Sequence, residues 1–466
     1  MKKHISFNLI ALLAILLAAC GSPATPEPIV IKETVVVPGE PQVIQSTTIV
    51  EVEKVVVATP ESPQVKEKVK LYYLSGGTAD LERAFETKWI KLFNETHPNI
   101  EVEIETVGQA DLFSKFQALS AAGTPPDLYW IAPSTKDLAR NGLLEPLDDI
   151  LGDSKQEYLD VFLGSESDVV YEGQMYGAPF VLSARALISR KDIMEEYGIT
   201  PEDIDTFEEF LEVCKLVSDP PNRYCTTFGT GTPRWGAFMS TYFWPNNGVQ
   251  HIADLRPEVK DNYIALLQFL KDLQPYMPPA QVGWDYAETN TAYQNGVTVF
   301  YPGGSWVFAG LKPLAPELMA PETTVVLPMP YGSGRSDLGC VVPMGGVNWG
   351  ISAGSQHKEE VGELLRFLTT KEILNDFPFN LTPKKGITID DRVRVSPFGE
   401  EVRWWHESWY GVLETCENQV YPSYSPGAEI QKIFTDEVNR LYAGQVTAEE
   451  AYENIKVQVE PILVTE

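Results

Sequence analysis

Residues 172–193 constrain the fold of this chain more than any other stretch. Gly173 and the Gly-Ala-Pro sequence at 177–179 are turn signals, and an apolar run from Phe180 to Ile188 follows them. The polar and charged residues at 189–192 close the run. A turn, an extended apolar run and a charged helix start together predict a strand that leads into a helix.

Ser183 and Arg185 interrupt this apolar run. A purely structural strand has little reason to carry an arginine there, although a buried strand whose arginine extends to solvent is the alternative. The stretch resembles the interlobe crossing segment of the carbohydrate-type extracellular solute-binding proteins of ABC transporters. That segment has the pattern G-x-x-Y-G-x-P, a short polar hinge, and an apolar strand that ends in a basic-acidic pair. The resemblance implies that the chain first crosses between two lobes here, on the floor of a ligand cleft, and that Ser183 and Arg185 contact the ligand.

Strands and helices alternate at the start of the folded region. Apolar spacing predicts, in order, a strand from Val69 into the turn 75–78, a helix over 80–96, a strand from Ile100, a helix over 111–122 and a strand ending near Ile131. This order predicts a parallel sheet, whose ligands bind beyond the carboxyl ends of the strands. It is similar to the opening of the same family, in which the loop after the first strand contacts ligand. The similarity implies ligand contacts from Gly76, Thr78, Trp130 and Ser134.

Aromatic residues carry more of the functional signal than acids or bases. The chain has 10 Trp and 20 Tyr. A sugar offers apolar C–H faces to aromatic planes and a rim of hydroxyls to polar groups. Several tryptophans stand in predicted loops or at strand ends, although a place in the core is the alternative for each.

Two further segments resemble the second half of the family. They are the Gly-Ser-Trp run at 304–306 and the sequence VVPMGGVNWGISA at 341–353, which is similar to a second crossing with Asn348 and Trp349 exposed to the cleft. The implied contacts from the second lobe and this crossing are Trp235, Trp244, Trp306, Asn348, Trp349 and Tyr424. By contrast, Trp404, Trp405 and Trp409 are predicted to pack in a helix.

The resemblance covers about residues 68–466 and implies an α/β fold of two lobes joined by a hinge. This is the type II periplasmic-binding-protein fold, similar to that of maltose-binding protein. Lobe one is expected at 68–180 and about 351–376, and lobe two at 181–350 and about 377–466, with a third crossing near 377–385. The implied function is capture of a sugar or oligosaccharide in the cleft by hinge closure, followed by delivery to an ABC permease. We expect a monomer that is not an enzyme and has no cofactor or metal.

Two alternative functions stay open at this point. A secreted glycosidase would use a similar aromatic cleft with two opposed acids, but the sequence has no GxSxG elbow, HExxH motif or SxxK motif with its partners. A binding protein for a glycerol phosphate or another anionic solute is the second alternative, because Arg185 could meet an anion. The formal net charge of −29 argues against a nucleic-acid partner.

Residues 1–20 resemble a bacterial lipoprotein signal peptide. Lys2 and Lys3 precede an apolar segment that ends in Leu-Ala-Ala before Cys20. The resemblance implies export, cleavage before Cys20 and lipidation of its thiol. The protein would then be held at the outer face of the cytoplasmic membrane by lipid alone, whether that face is periplasmic or cell-surface. Residues 21–67 lack aromatics and are rich in Pro, Glu, Thr and Val, which predicts a disordered tether, with a docked strand as the alternative.

Four further cysteines are expected to form two disulfides, because an even number in an exported chain favours pairing. Four cysteines allow three pairings. We predict Cys214–Cys225, because the sequence SDPPNR between them is typical of a tight loop, and Cys340–Cys416 follows by elimination. No CxxC motif or Cys/His cluster indicates a metal site.

Overall fold

The computed structural model describes residues 68–77, 80–131, 135–160, 169–377, 380–381, 384–420 and 427–465. Three predicted ligand contacts, Thr78, Ser134 and Tyr424, lie outside these residues, and so do Cys20, the predicted signal peptide and the predicted tether. Those assignments stay predictions. Within the described residues, none of the helices combines the length and the apolar character needed to cross a membrane.

The strands occur in both halves of the chain. They are β1 (Val69–Ser75), β2 (Ile100–Thr106), β3 (Leu128–Ile131), β4 (Val170–Tyr171), β5 (Gln174–Met175), β6 (Ala178–Arg190), β7 (Phe300–Gly304), β8 (Thr324–Leu327), β9 (Val341–Ile351) and β10 (Glu417–Val420).

The α-helices surround these strands and fill much of the second half. They are α1 (Asp80–Thr96), α2 (Gln109–Ala121), α3 (Thr135–Arg140), α4 (Asp148–Leu151), α5 (Ser154–Leu159), α6 (Lys191–Tyr197), α7 (Phe207–Val217), α8 (Pro233–Phe243), α9 (Lys260–Leu273), α10 (Tyr286–Gln294), α11 (Val307–Leu311), α12 (Lys358–Leu368), α13 (Lys371–Asn375), α14 (Ile389–Val395), α15 (Arg403–Thr415), α16 (Ala428–Tyr442) and α17 (Ala448–Thr465). Short 3-10 helices lie at Pro201–Ile204, Pro245–Asn247, Pro257–Val259, Gln274–Tyr276, Pro279–Gly283, Ser333–Arg335 and Gly399–Val402.

Eight of the strands form one sheet in the order β2-β1-β3-β9-β6-β7, with β10 beside β9 and β8 beside β6. β1 pairs in parallel with both β2 and β3, which confirms the parallel arrangement predicted from the alternating strands and helices. The carboxyl ends of β1 and β3, at Ser75 and Ile131, therefore lie on the same edge of the sheet. β9 pairs antiparallel with β3, and β6 pairs antiparallel with β9.

The two long strands β6 and β9 cross the middle of the sheet side by side, from Ala178 opposite Trp349 to Ala184 opposite Met344. Their register shifts between Pro179 and Val181. Beyond the shift the strands approach closely, because a Cβ atom at Gly346 would lie 2.4 Å from the carbonyl oxygen of Val181. Glycine is therefore required at this point of the pair.

A third segment, at residues 380–381, lies beside the first crossing strand. The backbone N–H of Leu381 donates to the carbonyl oxygen of Leu182 on β6 at 2.8 Å. On β7's side, Ser305 Oγ donates to Asn380 Oδ1 at 3.1 Å and accepts from the N–H of Ala184 at 3.4 Å. The chain near 380–381 thus lies against β6, where the sequence predicted a third crossing.

Two hydrophobic cores support the fold. The first core follows the sheet from β1 to α15 and includes Trp130, Trp349, Trp405 and Trp409. The second core lies among α6 to α9, α16 and α17, with Trp244 among its buried side chains. The prediction that Trp405 and Trp409 pack in a helix is confirmed, because both are fully buried on α15.

The sequence placed Trp235 and Trp244 in loops, and this was wrong. Trp235 lies in the first turn of α8 and Trp244 at its C-terminal end. Thr232 caps the start of this helix by accepting a hydrogen bond from the N–H of Trp235 at 3.2 Å, with Pro233 at its first position. A Thr-Pro pair is a typical helix start, and it could have been recognised in the sequence.

Asn246 fixes the start of β9. Its amide is fully buried, accepts from the N–H of Val341 at 2.7 Å, and donates to the carbonyl oxygens of Val341 at 3.1 Å and Tyr242 at 2.9 Å. One side chain therefore joins the end of α8 to the strand that crosses the sheet.

Both predicted disulfides are present. Cys214 on α7 pairs with Cys225, 11 residues away, and Cys340 pairs with Cys416, 76 residues away. The second bond joins the residue before β9 to the end of α15, next to the parallel pairing of β9 with β10.

Replacing Cys340 and Cys416 together by Ser should destabilise the fold more than the same change at Cys214 and Cys225. Loop-closure entropy gives a loss of about 4.5 kcal/mol for the longer loop and about 3 kcal/mol for the shorter one. Denaturant unfolding of the two double variants and the parent, without reductant, measures both losses. A larger loss from the shorter loop would contradict this account.

Asn246→Ala should lower the free energy of unfolding by about 2–4 kcal/mol, because it leaves buried backbone groups of β9 without a partner. Asn222→Ala is the matched control, since the Asn222 amide meets Asp219 on the surface, and it should cost less than about 0.5 kcal/mol. Equal losses in the two variants would show that Asn246 has no special part in holding β9.

Candidate functional site

Four aromatic side chains form a continuous group on α8, α10 and the turn after β7. We call this group, Trp235, Phe238, Tyr286 and Trp306, the aromatic surface. The rings of Trp235 and Phe238 stack with centroids 5.1 Å apart, and Phe238 meets the edge of Trp306 at 6.1 Å. Trp306 Nε1 donates to the hydroxyl of Tyr286 at 3.1 Å. Tyr286 is 39% exposed, and Phe238 and Trp306 are half-buried, so part of the surface is open to a ligand.

Local sequence explains the position of the Trp306 ring. A Cβ atom at Gly304 would lie 1.8 Å from Cζ3 of Trp306, so the indole covers the backbone of its own strand end. β7 pairs Gly304 with Arg185 on β6. The Gly-Ser-Trp run therefore places Trp306 beside the middle of the first crossing strand.

Arg185 lies behind the aromatic surface. Its guanidinium carbon is 5.1 Å from the ring centre of Phe238 and 5.9 Å from that of Trp306. On its other side it reaches β9, where a Cβ atom at Gly345 would lie 3.0 Å from Nη1. A cation against two rings is a favourable contact, and it orients the rings as well as offering donors. Ser183, two residues earlier, donates to the carbonyl oxygen of Gly345 at 3.1 Å and so joins the two crossing strands.

The second component of the site is the turn after β1, Gly76 and Gly77, which we call the glycine loop. A Cβ atom at Gly76 would lie 2.5 Å from Cε3 of Trp130, so the loop rests directly on that indole. Trp130 is buried in β3 and its ring meets the edge of Phe180 at 6.2 Å. Trp130 therefore supports the loop from below in this conformation, and its part as a direct ligand contact stays a prediction.

Glu86 on α1 lies beneath the same loop, and a Cβ atom at Gly77 would be 2.9 Å from its Oε2. The Glu86 side chain is buried and accepts hydrogen bonds from the hydroxyls of Tyr73 and Ser75. Burial raises the pKa of Glu86 to about 7, while the two hydroxyls oppose the rise and the charge of Glu82 adds to it. This carboxyl group therefore titrates close to neutral pH.

Glu82 on α1 is close both to the glycine loop and to the aromatic surface. A Cβ atom at Gly77 would be 3.3 Å from Cβ of Glu82. Desolvation raises the pKa of the Tyr286 phenol, and the negative charge of Glu82 adds to that rise. Burial raises the pKa of Tyr129 on β3, and the positive charge of Arg234 at the start of α8 opposes that rise. The carboxyl edge of β1 and β3 thus lies near α8 and α10.

Asn348 and Trp349 were expected to be exposed to the cleft, and this was wrong for the present conformation. Trp349 is 1% exposed, stacks on Phe180 with centroids 4.1 Å apart, and donates from Nε1 to the Tyr73 hydroxyl at 2.9 Å. Asn348 is buried and donates to Thr135 Oγ1 at 3.0 Å. Adjacent residues of a strand point to opposite faces of the sheet. Trp349 therefore packs in the first core, and Asn348 faces Thr135 at the start of α3 on the other side.

Trp244 is also far from solvent. Its ring meets the edges of Tyr263 and Phe434 at 5.6 and 5.2 Å in the second core, and it is fully buried. The structure therefore brings together Arg185, Trp235 and Trp306 around Phe238, with Ser183 beside Arg185 on β6. It places Gly76 on Trp130 and buries Trp130, Asn348 and Trp349. Whether each of these residues contacts a ligand stays a prediction.

The sequence reasoning overlooked Phe238, Tyr286 and Glu86. Phe238 could have been found, since Trp235, Phe238 and Tyr242 recur at helical spacing on one face of α8. Tyr286 could also have been found, because it follows the capping residue Asp285 at a helix start. Glu86 had no local signal, because its partners lie on other elements.

The site offers aromatic faces, hydroxyl and guanidinium donors, and carboxylate acceptors. Within the described residues, no group of three or more His, Cys, Asp or Glu side chains is placed to hold a metal ion. These aromatic faces, donors and acceptors suit non-covalent binding of a small polar molecule that has apolar faces.

This chain is similar in sequence to a sugar-binding protein. The maltotriose-binding protein of Pyrococcus abyssi is 24% identical to this chain over 301 residues, or 61% of this chain and 59% of the relative. The chain thus spans about three fifths of that relative's length.

Solved structures match over a larger share. An ABC transporter solute-binding protein from Thermotoga lettingae, bound with α-D-tagatose, has a TM-score of 0.68 at 20% identity, over 85% of this chain and all of the other. The maltose-bound MalE3 protein of T. maritima has a TM-score of 0.66 at 22% identity, over 84% of this chain and all of the other. These likenesses confirm the predicted α/β fold of two lobes, the type II periplasmic-binding-protein fold.

The family match covers the glycine loop, both long crossing strands and the aromatic surface. The family described as bacterial extracellular solute-binding protein matches residues 76–373, well over half of the chain. The chain therefore belongs to the family of bacterial extracellular solute-binding proteins.

Proposed function

We propose that this protein captures a sugar or oligosaccharide between its two lobes and delivers it to an ABC permease. The observation that carries the proposal is the partly exposed aromatic surface with Arg185 against its rings, and with Glu82 close both to Tyr286 and to the glycine loop. Stacking on Trp306 and Tyr286 would cover an apolar sugar face, while Arg185 and Glu82 would bond its hydroxyl rim. The sugars named for the maltotriose-binding relative and the tagatose-bound structure support the same ligand class.

The affinity that such a site can reach is moderate. A dissociation constant near 1 μM corresponds to about −8 kcal/mol. Two stacked rings and several hydrogen bonds, less the cost of ordering the ligand and closing the lobes, are sufficient for this value.

Hinge closure is the proposed mechanism. We assign lobe one to 68–180 and about 351–376, and lobe two to 181–350 and about 377–466. β6 and β9 would bend near their register shift at Pro179 and Val181. A ligand that contacts both lobes favours the closed form, because it gains contacts there that the open form lacks.

We also propose that the protein is exported as a monomer and held to the outer face of the cytoplasmic membrane by a lipid on Cys20. The family is one of extracellular proteins, and the Leu-Ala-Ala-Cys sequence after an apolar segment supports the lipid attachment. Residues 21–67 would separate the folded lobes from the membrane surface.

Calorimetric titration of the purified protein with mono- and oligosaccharides, each mixture then analysed by chromatography, tests the function. We expect saturable binding of at least one sugar, recovered intact. Cleaved sugar would instead identify a glycosidase. An absence of binding across the panel would reject the carbohydrate proposal, and binding of glycerol phosphates in the same assay would replace it with an anionic solute.

Trp306→Ala should weaken binding of the sugar found in this panel at least tenfold, about 1.4 kcal/mol. It should change the melting temperature little, because the ring is half-buried. Trp404→Ala is the matched control, since Trp404 is also half-buried but contacts Phe308 and Trp405. The control should keep the parent affinity. Unchanged affinity in Trp306→Ala would remove the aromatic surface from the ligand site.

A further inference from the structure

Two chains of hydrogen bonds end on the carboxylate of Glu86. In the first, Trp349 Nε1 donates to the Tyr73 hydroxyl at 2.9 Å, and that hydroxyl donates to Glu86 Oε1. In the second, the N–H of Gly77 donates to Ser75 Oγ at 3.0 Å, and Ser75 donates to Glu86 Oε2 at 2.7 Å. In both chains an N–H group donates to a hydroxyl oxygen, and that hydroxyl is bonded to the Glu86 carboxyl group.

These partners suit an ionised Glu86, because the N–H groups of Trp349 and Gly77 can only donate and so leave each hydroxyl its own hydrogen for the carboxylate. An ionised carboxylate only accepts, so it can take both hydroxyl hydrogens, whereas a protonated one must itself donate. Protonation would require either the Tyr73 or the Ser75 hydroxyl to turn around. The Ser75 hydroxyl donates to the carboxylate while it accepts from the N–H of Gly77. Donation to a charged group makes a hydroxyl a stronger acceptor, so reversal on that side would weaken the bond that fixes the glycine loop.

The same chains connect distant parts of the fold. Trp349 lies on β9, the second crossing strand, and Gly77 lies in the glycine loop. Glu86 is the point at which the two chains meet, and it is 3% exposed. Buried hydrogen-bond chains polarise one another, so a change at one end is felt at the other.

We propose that Glu86 is a positioning residue whose ionised form holds the glycine loop in its ligand-ready arrangement and links that arrangement to the crossing strand β9. Lowering the pH through the neutral range would then loosen the loop. The consequence for ligand affinity rests on the proposed function, because it assumes that the glycine loop contacts the ligand.

Few other titratable groups act on Glu86. From β1 it faces the phenol of Tyr73, and Glu82, one turn earlier on α1, contributes a second carboxylate. β9 contributes the neutral indole of Trp349 through Tyr73. Both hydrogen-bond donors to Glu86 are neutral hydroxyls. Among the described residues, no positive charge offsets the burial of its carboxyl group. This agrees with the raised pKa of about 7.

Hydrogen–deuterium exchange of the Gly77 amide in the purified protein, without any ligand, tests the proposal. Rates are divided by the intrinsic exchange rate at each pH to give protection. In the parent protein, protection should rise at least threefold from pH 6 to pH 8, because donation to the ionised carboxylate makes the Ser75 oxygen a stronger acceptor for the N–H of Gly77. In Glu86→Gln the profile should be flat. A flat parent profile, or a rise that persists in Glu86→Gln, would overturn the proposal.

Two further variants sharpen the result. Glu82→Gln should keep the rise but move its midpoint to lower pH, since the charge of Glu82 raises the pKa of Glu86. Tyr73→Phe removes one donor from the carboxylate and should move the midpoint to higher pH. An unmoved midpoint in both would contradict the network, and these variants also serve if Glu86→Gln does not fold.

Global stability gives an independent contrast. The folded pKa of Glu86 lies above the ordinary value of 4.5, so its contribution to stability is complete at low pH and is lost as the pH rises through about 7. The parent melting temperature should therefore fall from pH 6 to pH 8 relative to Glu86→Gln, while protection of Gly77 rises. If protection of the Gly77 amide fell together with the melting temperature, exchange would report global unfolding, and the positioning role of Glu86 would be rejected.

This test is separate from that of the sugar-binding function. Amide exchange needs no ligand, so a protein that binds no sugar could still show the predicted pH profile. Conversely, sugar binding with a flat exchange profile would reject the role of Glu86 and leave the proposed function intact.

Discussion

The close contact between β6 and β9 is the constraint on which the rest of the structure depends. The strands meet without space for a side chain at Gly346, and Ser183 joins them again at Gly345. β9 pairs with β3 on one side, and β6 pairs with β7 on the other. The contact between β6 and β9 therefore holds the parallel strands in one sheet with β7, the strand that leads to Trp306. A substitution that separated the two strands would displace both components of the site at once.

The polar side chains buried near the contact between β6 and β9 fix the positions of these strands in a way that apolar packing alone does not. Asn246 satisfies both backbone groups of Val341 at the start of β9, and Ser305 bonds to β6 and to Asn380. A hydrophobic contact tolerates small shifts, whereas a buried amide or hydroxyl is costly unless its partner lies at the correct distance. These residues therefore fix the start of β9 and the position of β6 more specifically than the apolar residues around them do.

The parallel strands at the start of the fold, the capped helices and the Cys214–Cys225 disulfide could be predicted from the sequence, because each leaves a local signal. The Cys340–Cys416 disulfide, 76 residues apart, followed only by elimination. Thr206 and Glu209, for example, form the capping box that their spacing indicates. The tryptophans could not be sorted in the same way. Trp244 stands just before Pro-Asn-Asn and Trp306 just after Gly-Gly-Ser, which are both typical loop sequences, yet one is fully buried and the other half-buried. The difference arises from partners far along the chain, Phe434 for Trp244 and Phe238 for Trp306, and no local pattern records them.

Trp349 illustrates how a residue can matter to a cleft without lining it. In this conformation its indole stacks on Phe180 and its N–H enters the hydrogen-bond chain that ends on Glu86. A ligand on the glycine loop would therefore act on β9 through Ser75, Glu86 and Tyr73, without touching Trp349. Through this connection, the conformation of the glycine loop and the position of β9 would change together. A bound ligand shifts such an equilibrium only by the free energy with which it prefers one state. If the lobes close about β6 and β9, the buried carboxylate lies where that preference would be transmitted.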